Sequence, residues 1–245
     1  MTDTPQIPRL KPKPPIAKLA GRKLKPATLM MGHGYDPQLS EGALKPPVFL
    51  TSTFAFESAA AGKRHFEGIT GKRAGGAEGL VYGRFNGPNQ EILEDRLSIW
   101  DEAEDALCFS SGMTAICVLL LANCSHGDVI VHSGPLYAAS EGFIAKTLSR
   151  FGITYLDFAA GAERSEIEAI LEQAKAMATK QGGKVAMVYL ESPANPTNAL
   201  VDIEAVRDAR DEYSAPIVRS RSTTLSSGHC GSSRCSTART SWSIR

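Results

Sequence analysis

Ser110, Ser111, Gly112 and Met113 stand between a short apolar stretch, 106–109, and an apolar run with helical character, 114–121. A strand that turns through Ser-Ser-Gly into a helix presents free backbone N–H groups at the positive end of a helix dipole. That is a receptor for an anion such as a phosphate. Gly112 lets the backbone approach the anion closely, and the two hydroxyls add donors. Tyr137 follows a Ser133-Gly134-Pro135 turn and carries a ring that can stack on a flat ligand. Glu191-Ser192-Pro193-Ala194-Asn195-Pro196-Thr197 offers a carboxylate and an amide, with a proline on each side of Ala194-Asn195. Tyr82 and Arg84, two residues apart, pair a phenol with a guanidinium, a sound clamp for phosphate. Taken singly, these features also read as a tight turn, a core ring, a loop carboxylate and a surface pair. The ordered set is what points to a site.

The elements that must carry these residues alternate. Strands are expected at 106–109, 128–132, 153–158 and 184–190. Helices are expected at 113–122, 137–150, 163–180 and 202–213, with an earlier helix from Asn89 on the spacing of Ile92, Leu93, Leu97 and Trp100. Strands that are nearly all apolar, separated by helices, call for a mostly parallel sheet covered on both faces, an α/β fold. In such sheets ligands bind beyond the carboxyl ends of the strands. Ser110 to Gly112, Gly134 to Tyr137 and Glu191 to Asn195 each follow a strand, so all should lie along one rim.

The 245 residues suffice for one large domain or two small ones, and a net charge of +1 gives no argument for nucleic acid or an anionic membrane as partner. The longest apolar run, 115–122, is too short to span a bilayer, and the Pro- and Lys-rich N-terminus lacks the apolar core of a secretory signal. Cys108, Cys117 and Cys124 fall in or near the expected core, and Cys230 and Cys235 lie in a Ser-rich tail. None has metal-ligand or disulfide-framework spacing, so they read as free thiols in a reducing cytoplasm, with no metal site. Residues 1–70 read as a flexible arm followed by loops that cover the site.

The set Tyr82, Arg84, Ser111-Gly112-Met113, Tyr137 and Glu191 to Thr197 resembles the pyridoxal-phosphate enzymes of cysteine and methionine metabolism. These trans-sulfuration enzymes include cystathionine γ-synthase, cystathionine lyases, methionine γ-lyase and O-acetylhomoserine sulfhydrylase. The likeness runs over residues 28–213. It implies the aspartate-aminotransferase fold, fold type I, here as a partial cofactor-binding domain over 71–213 without its C-terminal domain. It further implies that Ser111, Gly112 and Met113 hold the phosphate of pyridoxal 5'-phosphate. Tyr137 would stack on the ring and assist proton transfer, and Asn195 would hydrogen-bond the ring hydroxyl. Glu191 belongs to the same motif. Tyr82 and Arg84 would reach the phosphate bound by a neighbouring subunit, so the intact enzyme would be a dimer or a tetramer of two dimers. The implied reaction makes or breaks a C–S bond on an amino acid of the homoserine, cysteine or methionine type, in the cytoplasm. An aminotransferase on the same fold and a non-catalytic remnant are the alternatives.

The same resemblance requires a lysine to hold the cofactor, an acid against the ring nitrogen and an arginine for the substrate carboxylate. All three are expected beyond Tyr213, yet no lysine follows Lys184 and no Asp or Glu follows Glu212. Residues 214–245 therefore read as an aberrant tail, rich in Ser, Thr and Arg, either disordered or translated out of frame. Codon arithmetic supports the second reading. Moving each codon boundary one nucleotide upstream, with permitted synonymous codons, turns Arg221-Ser222-Thr223-Thr224 into Ala-Ile-Asp-Asn and the start of a Thr codon. The same shift lets 227–231 cover Gly-Pro-Leu-Trp and 239–245 cover Asp-Leu-Val-Val-Tyr-Ser. Those peptides resemble the family's segment with the ring-nitrogen aspartate and the strand leading to its lysine. The chain as written is expected to be poorly stable and to lack lyase or synthase activity.

Overall fold

The computed structural model describes residues 18–19, 22–74, 79–100, 103, 105–210 and 215–220. The chain divides between Cys108 and Phe109 into two units, a division that falls inside the 71–213 stretch.

In the first unit, β1 (Lys18–Leu19) and β2 (Arg22–Lys23) form a short antiparallel pair. Three α-helices follow, α1 (Pro26–Leu29), α2 (Ala59–Ile69) and α3 (Pro88–Trp100), with a 3-10 turn at Pro37–Ser40 between the first two. The sequence foresees α3 but not α2. The face that α2 buries is Gly62, His65 and Gly68, which has no apolar period to read. Its start is signalled only by Ser58, whose hydroxyl accepts the Ala61 N–H at 3.1 Å. Long-range polar contacts then fix the loops to α3. The Asn89 side chain exchanges two hydrogen bonds with the Phe49 backbone, at 2.9 and 3.1 Å, and the Glu94 carboxylate accepts the Cys108 N–H at 2.8 Å.

The second unit is built on four parallel strands: β3 (Val129–Gly134), β4 (Thr154–Ala159), β5 (Val185–Glu191) and β6 (Ile217–Ser220), in the order β4-β3-β5-β6. Helices α4 (Gly112–Asn123), α5 (Ala138–Gly142), α6 (Arg164–Gln181) and α7 (Ile203–Arg210) connect and cover them. The alternation of Cβ direction along a strand explains the nearly continuous apolar runs. Val129, Val131, Val188 and Leu190 point to one face and pack with Ile167, Leu171, Ala174 and Ala178 of α6 and Val206 and Ala209 of α7. Ile130, Met187 and Tyr189 point to the other face and pack with Ile116 and Leu120 of α4 and with Leu136, Ile144 and Leu148.

Three differences from the sequence expectation have physical causes. The stretch 106–109 is not a strand among the described residues, and Leu107 there is 59% exposed. A ladder needs a neighbour for its N–H and C=O groups, and none of the described strands pairs with it. The helix expected over 137–150 changes pitch. It is α-helical over Ala138–Gly142, π-helical over Phe143–Thr147 and 3-10 over Leu148–Phe151, and it stops at Gly152 with φ 73°. The fourth strand, β6, begins three residues after the boundary set at 214. Its pairing with β5, from Val188 opposite Ile217 to Glu191 opposite Ser220, is a backbone ladder that needs no side-chain pattern. The rest of the tail, 221–245, lies outside the described residues.

At the amino ends of the strands, backbone meets backbone. A Cβ placed on Gly183 would lie 2.1 Å from the Gly127 carbonyl oxygen, and one on Gly127 would lie 2.7 Å from the Gln181 carbonyl oxygen. Gly127 also has φ 88°. Both positions therefore exclude a side chain.

Candidate functional site

The carboxyl ends of β3 and β5 open onto the same rim, because their ladder is parallel. Helix α4 begins with Ser111 as its N-cap, in extended conformation at φ −152°. The Ser111 hydroxyl accepts the Thr114 N–H at 3.0 Å and lies 2.8 Å from the Thr114 hydroxyl. The Ser111 oxygen thus caps the start of α4. The first N–H groups of α4, on Gly112 and Met113, have no intrahelical acceptor by the geometry of a helix start. Gly112 is exposed and Met113 is half-buried, so both remain available to an anion.

Tyr137 is the residue before α5, and its side chain is 39% exposed. The backbone there is fixed while the ring is free to take a partner. A second contact ties this helix to the start of α4: the Ser140 hydroxyl, on α5, meets the Met113 sulfur at 3.8 Å.

Glu191 ends β5 and is only 3% exposed. Its carboxylate accepts the Tyr137 N–H at 2.8 Å and the Asn195 N–H at 3.2 Å, and its own N–H donates to the Ser133 hydroxyl at 3.3 Å. Burial pushes the Glu191 carboxyl above its usual range, and the two backbone N–H donors pull it back in part. Asn195 is half-buried, and its side-chain amide makes no hydrogen bond among the described residues. The loop is closed by hydrogen bonds from Asn198 N–H to the Ala194 carbonyl at 2.7 Å and from Val201 N–H to the Ser192 hydroxyl at 3.1 Å. Three X-Pro bonds on this rim are cis, at Gly134-Pro135, Ser192-Pro193 and Asn195-Pro196.

The second unit thus joins Met113, Tyr137, Glu191 and Asn195 through a continuous line of contacts. Tyr82 and Arg84 belong to the first unit. There the guanidinium lies over the Tyr82 ring at 5.5 Å and over the Phe85 ring at 5.1 Å, and both side chains are exposed. The backbone beneath is held by an antiparallel bridge of Tyr82 with Thr53 and by the Gly83 N–H on the Ser52 carbonyl at 2.7 Å.

Sequence reasoning missed Ser133 and Ser140, whose hydroxyls bind neighbours rather than a ligand and leave no motif. The cavity of about 390 Å³ lined by His132, Gly134, Pro135, Glu141, Tyr155, Asp157 and Ala159 lies beside this rim and includes none of the expected site residues. No cluster of three or more metal-ligating side chains occurs among the described residues, and no helix there is long and apolar enough to cross a membrane. Cys108, Cys117 and Cys124 are free and half-buried rather than fully enclosed.

Residues 27–228 match the profile of a family described as Cys/Met metabolism PLP-dependent enzyme. An L-methionine gamma-lyase of Pseudomonas putida is 33% identical over 194 residues, covering 78% of this chain and 44% of that protein. An O-succinylhomoserine sulfhydrylase of Pseudomonas aeruginosa is 32% identical over 168 residues, covering 69% of this chain and 37% of that protein. A cystathionine gamma-synthase of Mycobacterium bovis is 29% identical over 193 residues, with 79% and 43% covered. The crystal structure of metB from Corynebacterium glutamicum shares the fold with a TM-score of 0.63 at 23% identity, over 80% of this chain and 45% of that one. The chain spans under half the length of these relatives. By the profile match over 27–228 and these relatives, the chain belongs to the pyridoxal-phosphate-dependent enzymes of cysteine and methionine metabolism.

Proposed function

We propose that this chain binds pyridoxal 5'-phosphate at the rim of its parallel sheet and that the complete protein makes or breaks a C–S bond in a homoserine-, cysteine- or methionine-type amino acid. The observation that carries this reading is the line of contacts from Met113 through Ser140 and α5 to Tyr137, Glu191 and Asn195. It gathers an anion cup, an exposed aromatic ring and an unpaired amide where one flat phosphorylated molecule could meet all three. Gly112 and Met113 would donate backbone N–H groups to the phosphate. Tyr137 would cover the ring face and hold or move a proton at its hydroxyl. Asn195 would donate its amide to the ring hydroxyl. Arg84 and Tyr82 would reach the phosphate of a neighbouring copy, which makes affinity depend on dimerisation. When bound, the cofactor supplies an electron sink for a substrate carbanion.

The chain as written carries no lysine after Lys184 and no acid after Glu212. The lysine that holds the cofactor and the acid against its ring nitrogen would come from the in-frame sequence. Elimination and replacement would both belong to the in-frame parent.

The test is a titration with pyridoxine 5'-phosphate, which lacks the aldehyde and so does not label surface lysines. Saturable binding that is lost with unphosphorylated pyridoxine supports the reading, and no binding of either overturns it. For an in-frame parent, keto-acid release from methionine without an amino acceptor supports lyase chemistry. Dependence on an acceptor would make it an aminotransferase.

A further inference from the structure

We propose that Glu191 is the positioning residue of this site: its two carboxylate oxygens hold the backbone of Tyr137 and the backbone of Asn195 in one fixed span. The proposal rests on the cofactor reading above for what that span serves, but its geometry stands apart from it. Tyr137 and Asn195 are on different loops, one following β3 and the other following β5, and 58 residues of chain separate their attachment points at Ser133 and Glu191. Among the described residues, the Glu191 carboxylate hydrogen-bonds the backbone N–H of both. One oxygen accepts from Tyr137 at 2.8 Å and the other accepts from Asn195 at 3.2 Å.

The chemistry selects a carboxylate. Two N–H donors converge on one buried side chain, so both of its ends must accept. A glutamine has one accepting oxygen, and its NH2 group would face an N–H, donor against donor. A neutral carboxyl has the same defect in milder form. Burying a charge costs free energy that two backbone donors offset only in part, which agrees with the raised carboxyl of Glu191. A residue kept against that cost, and steadied from below by Ser133, which is fully buried, has a task that an apolar side chain could not perform. The task is visible in what is held. Backbones are clamped while the Tyr137 ring stays 39% exposed and the Asn195 amide stays open.

Amide hydrogen exchange on the full chain without cofactor, resolved to single residues, tests the clamp in Glu191→Ala and Glu191→Gln. The expected result is protection at Tyr137 and Asn195 in the unchanged protein. In Glu191→Ala exchange at both should rise about tenfold or more, with Val131 and Val188 unaffected. Glu191→Gln should free one of the two amides and keep the other. Should Glu191→Ala not fold, Glu191→Gln decides alone: equal protection of both amides overturns the proposal, as does unchanged exchange at both sites in Glu191→Ala. The second readout is circular dichroism induced in bound pyridoxine 5'-phosphate. The clamp predicts, at saturating probe, a signal per bound molecule reduced by at least half in both variants. An unchanged signal overturns the positioning role. If no variant and no parent binds the probe, the cofactor reading fails and the exchange data still decide whether Glu191 holds the two loops.

Discussion

The Asp128 carboxylate accepts the Lys184 N–H at 2.9 Å, which ties the residue before β3 to the residue before β5. Its second oxygen accepts the Ser125 N–H at 2.9 Å, and the side chain is buried at 4% exposure. Glu191 makes the corresponding bridge at the opposite ends of the same two strands. The central pair of the sheet is thus pinned at both ends by a carboxylate with two N–H donors. Asp128→Ala should leave two buried donors unmet and lower unfolding stability by about 2–3 kcal/mol. Urea denaturation measures this. Binding of pyridoxine 5'-phosphate, read well below the denaturation midpoint, should be unchanged, because the pin at Asp128 is remote from the rim.

Ser111→Ala separates the cap from the cup. Loss of the Ser111 to Thr114 bond should cost about 1 kcal/mol of stability. The same fraying should disorder the Gly112 and Met113 donors and weaken pyridoxine 5'-phosphate binding about fivefold, as an exposed cap contributes about 1 kcal/mol. Unphosphorylated pyridoxine should be indifferent to the change. Equal loss for both ligands would show that α4 does not receive the phosphate.

Glu191 gives the fold a pH dependence with a definite sign. Its folded-state carboxyl is raised, so the native state holds the proton more tightly than the unfolded chain does. Stability from this group should therefore fall as pH rises from about 4.3, the ordinary glutamate value, through the raised folded value. Glu191→Gln cannot titrate and should flatten that slope. Denaturation midpoints of the two proteins across the acid-to-neutral range check it, and a steeper slope in Glu191→Gln would contradict the assignment.

The thiols should be sluggish. Burial, with Asp128 nearby, pushes Cys124 up to about 12, and burial also raises Cys108 and Cys117. A thiol reagent acts on the thiolate, so at neutral pH native Cys124 should be modified far more slowly than in urea. Mass spectrometry of time-quenched samples resolves the three sites. Cys124 reacting as fast in the native protein as in urea would show that the α4 end is open.

Re-reading the coding DNA from the Ala209 codon to beyond the Arg245 codon should uncover a one-nucleotide shift that restores Ile-Asp-Asn-Thr and a lysine shortly after the restored Tyr-Ser. A confirmed reading frame would overturn the out-of-frame reading of the tail.

The second unit was legible because its burial is two-sided. Strands such as Val129 to Val131 and Met187 to Leu190 must be apolar at every position, and helices such as α6 carry Ile167, Leu171, Ala174 and Ala178 at helical spacing. The motifs after β3 and β5 then inherit one rim from parallel topology, while the start of α4 follows no described strand and is tied to α5 by the Ser140 to Met113 contact. What could not be read depends on partners rather than pattern. The apolar 106–109 stretch spells a strand, but no described neighbour pairs with it. The carboxylate of Glu191 could be seen in its motif, yet its acceptance of the Tyr137 N–H, 54 residues away, has no trace in sequence. Helix α2 hid for the opposite reason, since glycine and histidine make its buried face.

Gly127 and Gly183 leave a consequence for anyone ranking positions by tolerance to substitution. Their backbones touch at the amino ends of β3 and β5, the opposite ends from Tyr137 and Glu191. Every side chain there, alanine included, would force the β3 and β5 connections apart. In a saturation library these two glycines should score as intolerant as Glu191, and a survey that equated intolerance with chemistry would point to the end of the sheet opposite the proposed site.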